Sequence, residues 1–264
     1  MVGDAQPPMT LTRAELELLP AEWRERFVPL PNARDESVGR HGSTLTLARK
    51  LLGTVLSDYD ANGLLGAYPM RLLSTEEWKL LLADAAHGRL LDVGAGAGWI
   101  TETLAPLFDE IVTTETSRAM AWRLARRGWV THRVDLAREP LPDPARFDVV
   151  SCLHVLDRCA RPLTLVDRLR ANLSERGRVV VAVTLPYAPH VHVGSSTVDP
   201  DELLPCVGDS WARDLTALVE RVLVPRGLEL ERFTRAPYLS AGDADQERYA
   251  LDSAVVVCRS TATL

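Results

Sequence analysis

No run of about 18 consecutive apolar residues occurs in the chain, which excludes a membrane-spanning helix. The first ten residues lack a basic start followed by an apolar stretch, so no secretory leader is expected. Cysteine is scarce. The four residues Cys152, Cys159, Cys206 and Cys258 form no CxxC pair and match no zinc spacing, so reduced buried thiols, and no metal, are expected. Together these absences make a cytoplasmic protein the expectation. Positive charge is in deficit: the formal net charge is −6, which disfavours a nucleic-acid partner. Neither a membrane nor a nucleic acid is expected as partner, and the chain is expected to be a monomer. Internal repeats and low-complexity segments are also lacking. What remains is an ordinary globular composition, 46% hydrophobic and 25% charged over 264 residues, enough to bury a full core.

The chain changes rhythm near residue 87. Residues 1–10 read as disordered. Residues 11–86 read as an N-terminal helical extension or lid: a helix pattern from Thr12 to Arg26 interrupted by Pro20, a loop over 29–43, a helix from Thr44 to Leu56, and a turn at Asn62-Gly63. A third helix opens at Ser74, with Glu77 completing a capping box. From 87 to 264, strands alternate with helices. Strands are expected at 89–93, 110–115, 129–134, 147–153, 178–184, 228–235 and 252–259, and helices at 98–106, 117–127, 162–173 and 209–225. Strands separated by helices indicate parallel βαβ units and a doubly wound α/β sheet. The last two strands have no helix between them and suit an antiparallel hairpin that closes the sheet.

The most informative stretch is Leu90-Leu91-Asp92-Val93-Gly94-Ala95-Gly96-Ala97-Gly98. Glycine at Gly94, Gly96 and Gly98 lets the backbone approach a ligand closely, and the helix that follows aims its N-terminal amides at it. Such a loop serves dinucleotides and S-adenosylmethionine (SAM) alike. Three carboxylates narrow the choice. Asp92, at the end of the first strand, suits the amino group of a SAM methionine moiety. Glu115, at the end of the second, suits the ribose hydroxyls. Asp135, at the end of the third, suits the adenine amino group. The loop has no Lys or Arg to meet a pyrophosphate, and a seven-stranded sheet closed by a C-terminal hairpin is the signature of a class I SAM-dependent methyltransferase. A dinucleotide-binding sheet would continue βα instead. SAM is therefore the expected cofactor and S-adenosylhomocysteine (SAH) its product, with NAD(H) the competitor.

After the fourth strand comes Ser151-Cys152-Leu153-His154-Val155-Leu156-Asp157-Arg158-Cys159, followed by Arg161-Pro162-Leu163-Thr164-Leu165. This is not the Asn/Asp-Pro-Pro-Tyr/Phe run of amide and adenine N-methyltransferases. With "GRVVVAVTLPYAPHV", "FTRAPYLSAGD", "YALDSAVVV", "LLPAEWRERFVPL" and "ANGLLGAYPMRLLS", it resembles the DREV-type methyltransferases over about residues 15–260. These are protein-histidine N-pros-methyltransferases, the group of methyltransferase-like protein nine. The resemblance implies methyl transfer from SAM to the Nδ1 (pros) nitrogen of histidine in a protein or peptide, in His-x-His segments with a small middle residue. It implies that Asp157 orients the substrate, that Tyr238 and Tyr249 are site tyrosines, and that Asp92, Gly94, Glu115 and Asp135 contact SAM. The family's asparagine after the fourth strand is His154 here, and no counterpart of the family's secretory leader is expected.

The chemistry is consistent with that assignment. A carboxylate at Asp157 accepting Nε2–H would leave Nδ1 with its lone pair and would stabilise the methylimidazolium that forms. Tyr238 and Tyr249 could wall the pocket, being apolar with a polar tip. Each residue also has a structural reading: Asp157 as a helix N-cap, Tyr238 as a core aromatic, Tyr249 as an exposed strand-entry residue and His154 as a buried histidine. His190-Val191-His192 is itself a His-x-His segment, expected in a loop after the fifth strand and open to automethylation as a hypothesis. Two other functions stay open at this point: a small-molecule methyltransferase on the same fold, and a non-catalytic SAM-binding protein that acts through contacts.

Overall fold

A computed structural model describes residues 10–30, 72–142, 145–193, 196–241 and 248–261. The helix expected at 44–56, the Asn62-Gly63 turn and residues 1–9 lie outside the described residues. Within them, the expected seven-stranded sheet forms in the order β3-β2-β1-β4-β5-β9-β8. The strands are β1 (Arg89–Val93), β2 (Glu110–Thr114), β3 (Val130–His132), β4 (Phe147–Leu153), β5 (Leu173–Thr184), β8 (Leu228–Ala241) and β9 (Arg248–Ser260). The first five pair in parallel, and β9 runs antiparallel to both β5 and β8. This is the class I methyltransferase architecture.

The near-continuous apolar runs of β4 and β5 follow from burial on both faces. Alternate residues point to opposite sides. On one side, Val150, Cys152, Val179 and Val181 pack with α5 (Pro162–Ala171) and α6 (Trp211–Leu218) through Leu165, Leu169, Leu215 and Leu218. On the other, Leu90, Val149, Val180 and Ala182 pack with α2 (Thr75–Leu82) and α3 (Trp99–Leu104) through Trp78, Leu81, Ile100 and Leu104. The Ser74–Glu77 capping box opens α2 as expected. Leu72–Ala85 thus shares its core with the sheet across the expected boundary at residue 87. Helix α4 (Arg118–Arg126) lies beside α3, with the Arg127 guanidinium 5.4 Å from the Trp99 ring.

Several boundaries differ from expectation for physical reasons. β3 stops at His132, because Val134 N–H turns back to the His132 carbonyl at 3.1 Å. The helix expected over 209–225 is α6 followed by a wide π turn, Val219–Leu223, and a 3-10 turn, Val224–Arg226, that carries Pro225 and ends at Gly227. The His190-Val191-His192 segment is not a plain loop. It leads into a two-stranded hairpin of β6 (Val191–Val193) and β7 (Ser196–Val198). The C-terminal hairpin is longer than expected. β5 pairs with β9 only as far as Thr184 opposite Ser253, whereas β8 and β9 continue together to Ala241 opposite Arg248. The hairpin therefore overhangs the sheet at the carboxyl end of β5.

The N-terminal residues cover the open edge at β8. Helix α1 (Arg13–Leu18) begins with a second capping box, Thr12 with Glu15, and a 3-10 turn follows at Ala21–Arg26, so Pro20 divides the segment. Val28 N–H donates to the Phe233 carbonyl at 2.8 Å, and Thr234 Oγ1 donates to the Val28 carbonyl at 2.7 Å. Trp23 and Phe27 both pack on the Phe233 ring. An edge strand is thereby partly paired and covered. Arg235 fastens this contact. Its side chain is 7% exposed and reaches Asp252 at 2.6 Å and Glu15 at 2.9 Å. Arg235→Met strands the Asp252 carboxylate, 14% exposed, and is expected to lower stability by roughly 3 kcal/mol in urea unfolding. Glu15→Gln keeps the cap and is expected to cost under about 1 kcal/mol. Equal costs would show that Asp252 is not the anchoring partner.

Candidate cofactor and substrate site

Strand order reverses between β1 and β4, and open α/β sheets bind ligands in the crevice at that switch point. Asp92 stands there, opposite Ser151 in the register. Its carboxylate is 2% exposed. Oδ1 accepts from Ser151 Oγ at 2.7 Å and Oδ2 from Thr101 Oγ1 at 2.6 Å. Burial, offset in part by those two hydroxyls, pushes its pKa up from 3.8 to about 6. An acid held this way is poised to meet a cation.

The three glycines of the loop are required for different reasons. At Gly98, φ is +81° and a Cβ would lie 2.8 Å from the Trp129 ring and 2.9 Å from Leu124, so helix packing demands glycine there. A Cβ on Gly94 would meet Val155 at 2.7 Å, which brings the loop after β4 against the glycine loop. Only Gly96 faces open space: the nearest atom to a Cβ there is Met120 Sδ at 4.0 Å. Of the three glycines, Gly96 has the most open surroundings.

Glu115 directly follows β2 and is 8% exposed. Its Oε2 accepts the Gly96 N–H at 2.8 Å, and Oε1 accepts Ser117 N–H at 2.8 Å and Thr116 Oγ1 at 3.4 Å. Burial raises its pKa, and the backbone donors pull it down. A carboxylate offers about four acceptor positions, and these contacts leave room for a ribose hydroxyl. Asp135 does not end β3 as expected. It lies three residues beyond His132 and opens the next turn, with Oδ1 accepting Ala137 N–H at 3.0 Å and Oδ2 3.2 Å from Arg138 Nε. Asp92, Gly96 and Glu115 therefore fit a SAM molecule: a buried carboxylate for its ammonium, an open glycine and a second carboxylate tied to that glycine.

The loop after β4 carries the other candidates. His154 has φ +58° and donates its N–H to the Ala182 carbonyl at 2.8 Å. Few side chains accept this left-handed conformation, and Asn, Asp and His are the most tolerant. Histidine is therefore accommodated at this position as an asparagine would be. Its ring is 4% exposed, and burial, with Arg158 nearby, lowers its pKa to about 3, so it is neutral. Asp157 is 2% exposed. Its Oδ2 is 3.9 Å from Arg158 Nε, and its buried Oδ1 has no hydrogen-bond partner among the described residues. It does not cap the next helix, because α5 is entered from Arg161. A carboxylate oxygen left unpaired in the interior is costly, and binding sites retain such groups for a ligand.

Tyr238 lies opposite Leu251 and Tyr249 opposite Ser240, so the two tyrosine positions are diagonal neighbours on the hairpin. Both belong to the overhang, at the carboxyl end of β5 where the strand-end loops gather. Ser151, Thr101, Val155 and the buried Asp214 were not anticipated. Register and loop contacts bring the first three to Asp92 and Gly94, whereas Asp214 lies apart and bonds the backbone of Tyr187, Val207 and Gly208, and no sequence spacing marks any of them. The four cysteines are free thiols. Burial raises the pKa of Cys152, and it pushes Cys159 up to about 12, far from a reactive thiolate. Among the described residues no helix is long and apolar enough to cross a membrane.

Among solved structures, one of a protein described by the conversion of a disulfide bond into a thioacetal group during echinomycin biosynthesis shares the fold. It is 16% identical, with a TM-score of 0.50 covering 75% of this chain and 84% of that one. The N-methyltransferase NodS from Bradyrhizobium japonicum WM9, in complex with SAH, is 18% identical with a TM-score of 0.47, over 71% of this chain and 85% of that one. Protein-L-isoaspartate O-methyltransferase of Colwellia psychrerythraea is 28% identical over 111 residues, 40% of this chain and 49% of that protein. The chain thus spans about half the length of this curated relative. The DREV methyltransferase model matches residues 41–260, most of the chain. The chain belongs to the DREV methyltransferase family, whose methyl donor is S-adenosylmethionine.

Proposed function

We propose that this protein methylates the Nδ1 (pros) nitrogen of histidine in a protein or peptide, in His-x-His segments. The observation that carries the reading is Asp157, a buried carboxylate with one oxygen unpartnered among the described residues, on the loop that touches Gly94 through Val155. SAM supplies an electrophilic methyl carbon on a sulfonium and leaves as SAH. Asp92 would hold its ammonium, Glu115 its ribose and Asp135 its adenine amino group. Asp157 accepts Nε2–H of the incoming imidazole and so selects the tautomer with the lone pair on Nδ1. Nδ1 bonds the methyl carbon as the carbon–sulfur bond breaks, and the carboxylate stabilises the positive charge that appears on the ring. A histidine with pKa near 6.5 is mostly neutral at pH 7, so no strong base is needed before attack. Tyr238 and Tyr249, on the overhanging hairpin, would wall the imidazole pocket.

Asp157→Asn offers an amide that cannot serve as the anionic acceptor. Methylation of a His-x-His peptide is expected to fall about 100-fold or more, with SAM affinity by calorimetry unchanged. Fragmentation that separates pros from tele methylhistidine checks the product. Near-full turnover in Asp157→Asn, or tele product from the parent protein, contradicts the reading. Turnover of free small molecules but not of peptides would favour a small-molecule substrate instead.

Asp92 gives a test of the cofactor half. Its pKa is raised in the folded state to about 6, so its ionisation favours unfolding. Its contribution to stability is best below pH 4, declines as pH rises through about 6, and costs roughly 2–3 kcal/mol above that. Asp92→Asn is therefore expected to raise the melting temperature of the SAM-free protein at pH 7.5 but not at pH 4. The same variant is expected to weaken SAM binding about tenfold or more. Stabilisation without loss of affinity would remove Asp92 from the cofactor site.

A further inference from the structure

Asp214 is a carboxylate that the cofactor and substrate roles leave unused, and it is completely buried on α6. It accepts N–H groups from Tyr187 at 2.8 Å, Val207 at 2.8 Å and Gly208 at 3.0 Å. Those donors come from the two ends of one loop, so the carboxylate clasps its neck. The approach is close enough that a Cβ on Gly208 would lie 2.8 Å from the Tyr187 carbonyl oxygen. From that neck the loop reaches the Asp157 segment on both sides. His190 N–H donates to the Asp157 carbonyl at 2.8 Å, and Tyr187 OH donates to the Leu156 carbonyl at 3.4 Å. Further on, Glu202 N–H donates to the Ala160 carbonyl at 3.0 Å, and the Glu202 carboxylate accepts Thr164 N–H at 2.8 Å in the first turn of α5.

We infer that Asp214 is a positioning residue: by closing the neck of the 187–208 loop, it fixes the backbone that presents the Asp157 carboxylate to the substrate. This rests on the proposed histidine methylation, but its physical content is testable without it. The 187–208 segment, held at its neck and against the backbone of Asp157, Ala160 and Thr164, has little freedom, whereas the same segment with an open neck can pull away from Asp157. Asp214 touches none of the residues assigned to SAM, so its loss should disturb the chemical step and leave the cofactor in place. A buried carboxylate that only stabilised the fold would not separate the two.

The test uses the full-length Asp214→Asn protein. An asparagine keeps one acceptor oxygen but turns an NH₂ toward backbone donors. With a His-x-His peptide as substrate, kcat is expected to fall tenfold or more, with the Kd for SAM within twofold of the parent. Hydrogen exchange is expected to show lost protection at the His190 and Glu202 amides, a readout that needs no turnover. Unchanged kcat, unchanged protection at His190, or a fall in SAM affinity as large as the fall in kcat would overturn the inference. Should Asp214→Asn fail to fold, Gly208→Ala opens the same neck from the other side and is expected to give the same split. If the parent protein does not methylate histidine peptides, histidine methylation fails, and the exchange data still decide the role of Asp214.

Discussion

The hydrogen-bonded carboxylate of Asp92 sits where the sheet reverses its strand order, and much of the site is referenced to it. Ser151 reaches it from β4 and Thr101 from α3, so a single side chain ties the two central strands to the helix that follows the glycine loop. Burying that acid costs stability, as its raised pKa shows. Two neutral hydroxyls satisfy its oxygens without neutralising its charge. A guanidinium in their place would stabilise the empty protein and would compete with any cation that the carboxylate could hold. Choosing hydroxyl donors leaves the charge available, which is the usual exchange of stability for binding at a functional site.

The remaining architecture separates the two ligands. The candidate cofactor half is made of consecutive strand ends: Asp92 on β1, the glycine loop, and Glu115 just after β2 with an oxygen on Gly96. In the proposed reading, the substrate half would be made of loops after β4 and β5 and of the overhanging hairpin. That hairpin extends past the sheet because β9 is anchored twice, along β5 as far as Ser253 and on the buried Arg235–Asp252 pair beside it. The N-terminal segment adds a backbone hydrogen bond to Phe233 on the far strand. Covering the β8 edge thus also ties down the strand that leads into the overhang.

The two halves were not equally legible in the sequence. Apolar runs alternating with amphipathic helices located every strand of the large sheet, and the missing helix before the last strand marked the antiparallel hairpin. The capping box at Ser74 placed α2. Asp92, the glycines and Glu115 were readable because each belongs to a strand end or to the turn after it, where local sequence sets position. Asp135 was displaced because β3 ends early, and strand ends are fixed by neighbours as much as by propensity. For Gly98, expected at the ligand, the structure adds a packing requirement against Trp129 and Leu124, from a helix and turn some thirty residues on. Sequence periodicity carries no signal for such a contact.

The loop after β4 shows the limit most clearly. Its residue types can be copied from a family resemblance, but their roles depend on backbone conformation. At His154 a positive φ narrows the choice of side chain, so exchange of asparagine for histidine preserves the turn whatever becomes of substrate contacts. At Asp157 the opposite holds. The backbone tolerates many residues, and what sets the side chain apart is a buried oxygen with no partner among the described residues. A carboxylate in that position is hard to explain by folding alone, because an apolar residue or a capped acid would be more stable there. Among the residues after β4, a requirement for shape at 154 and a requirement for charge at 157 therefore make separable demands, and only the second points to chemistry.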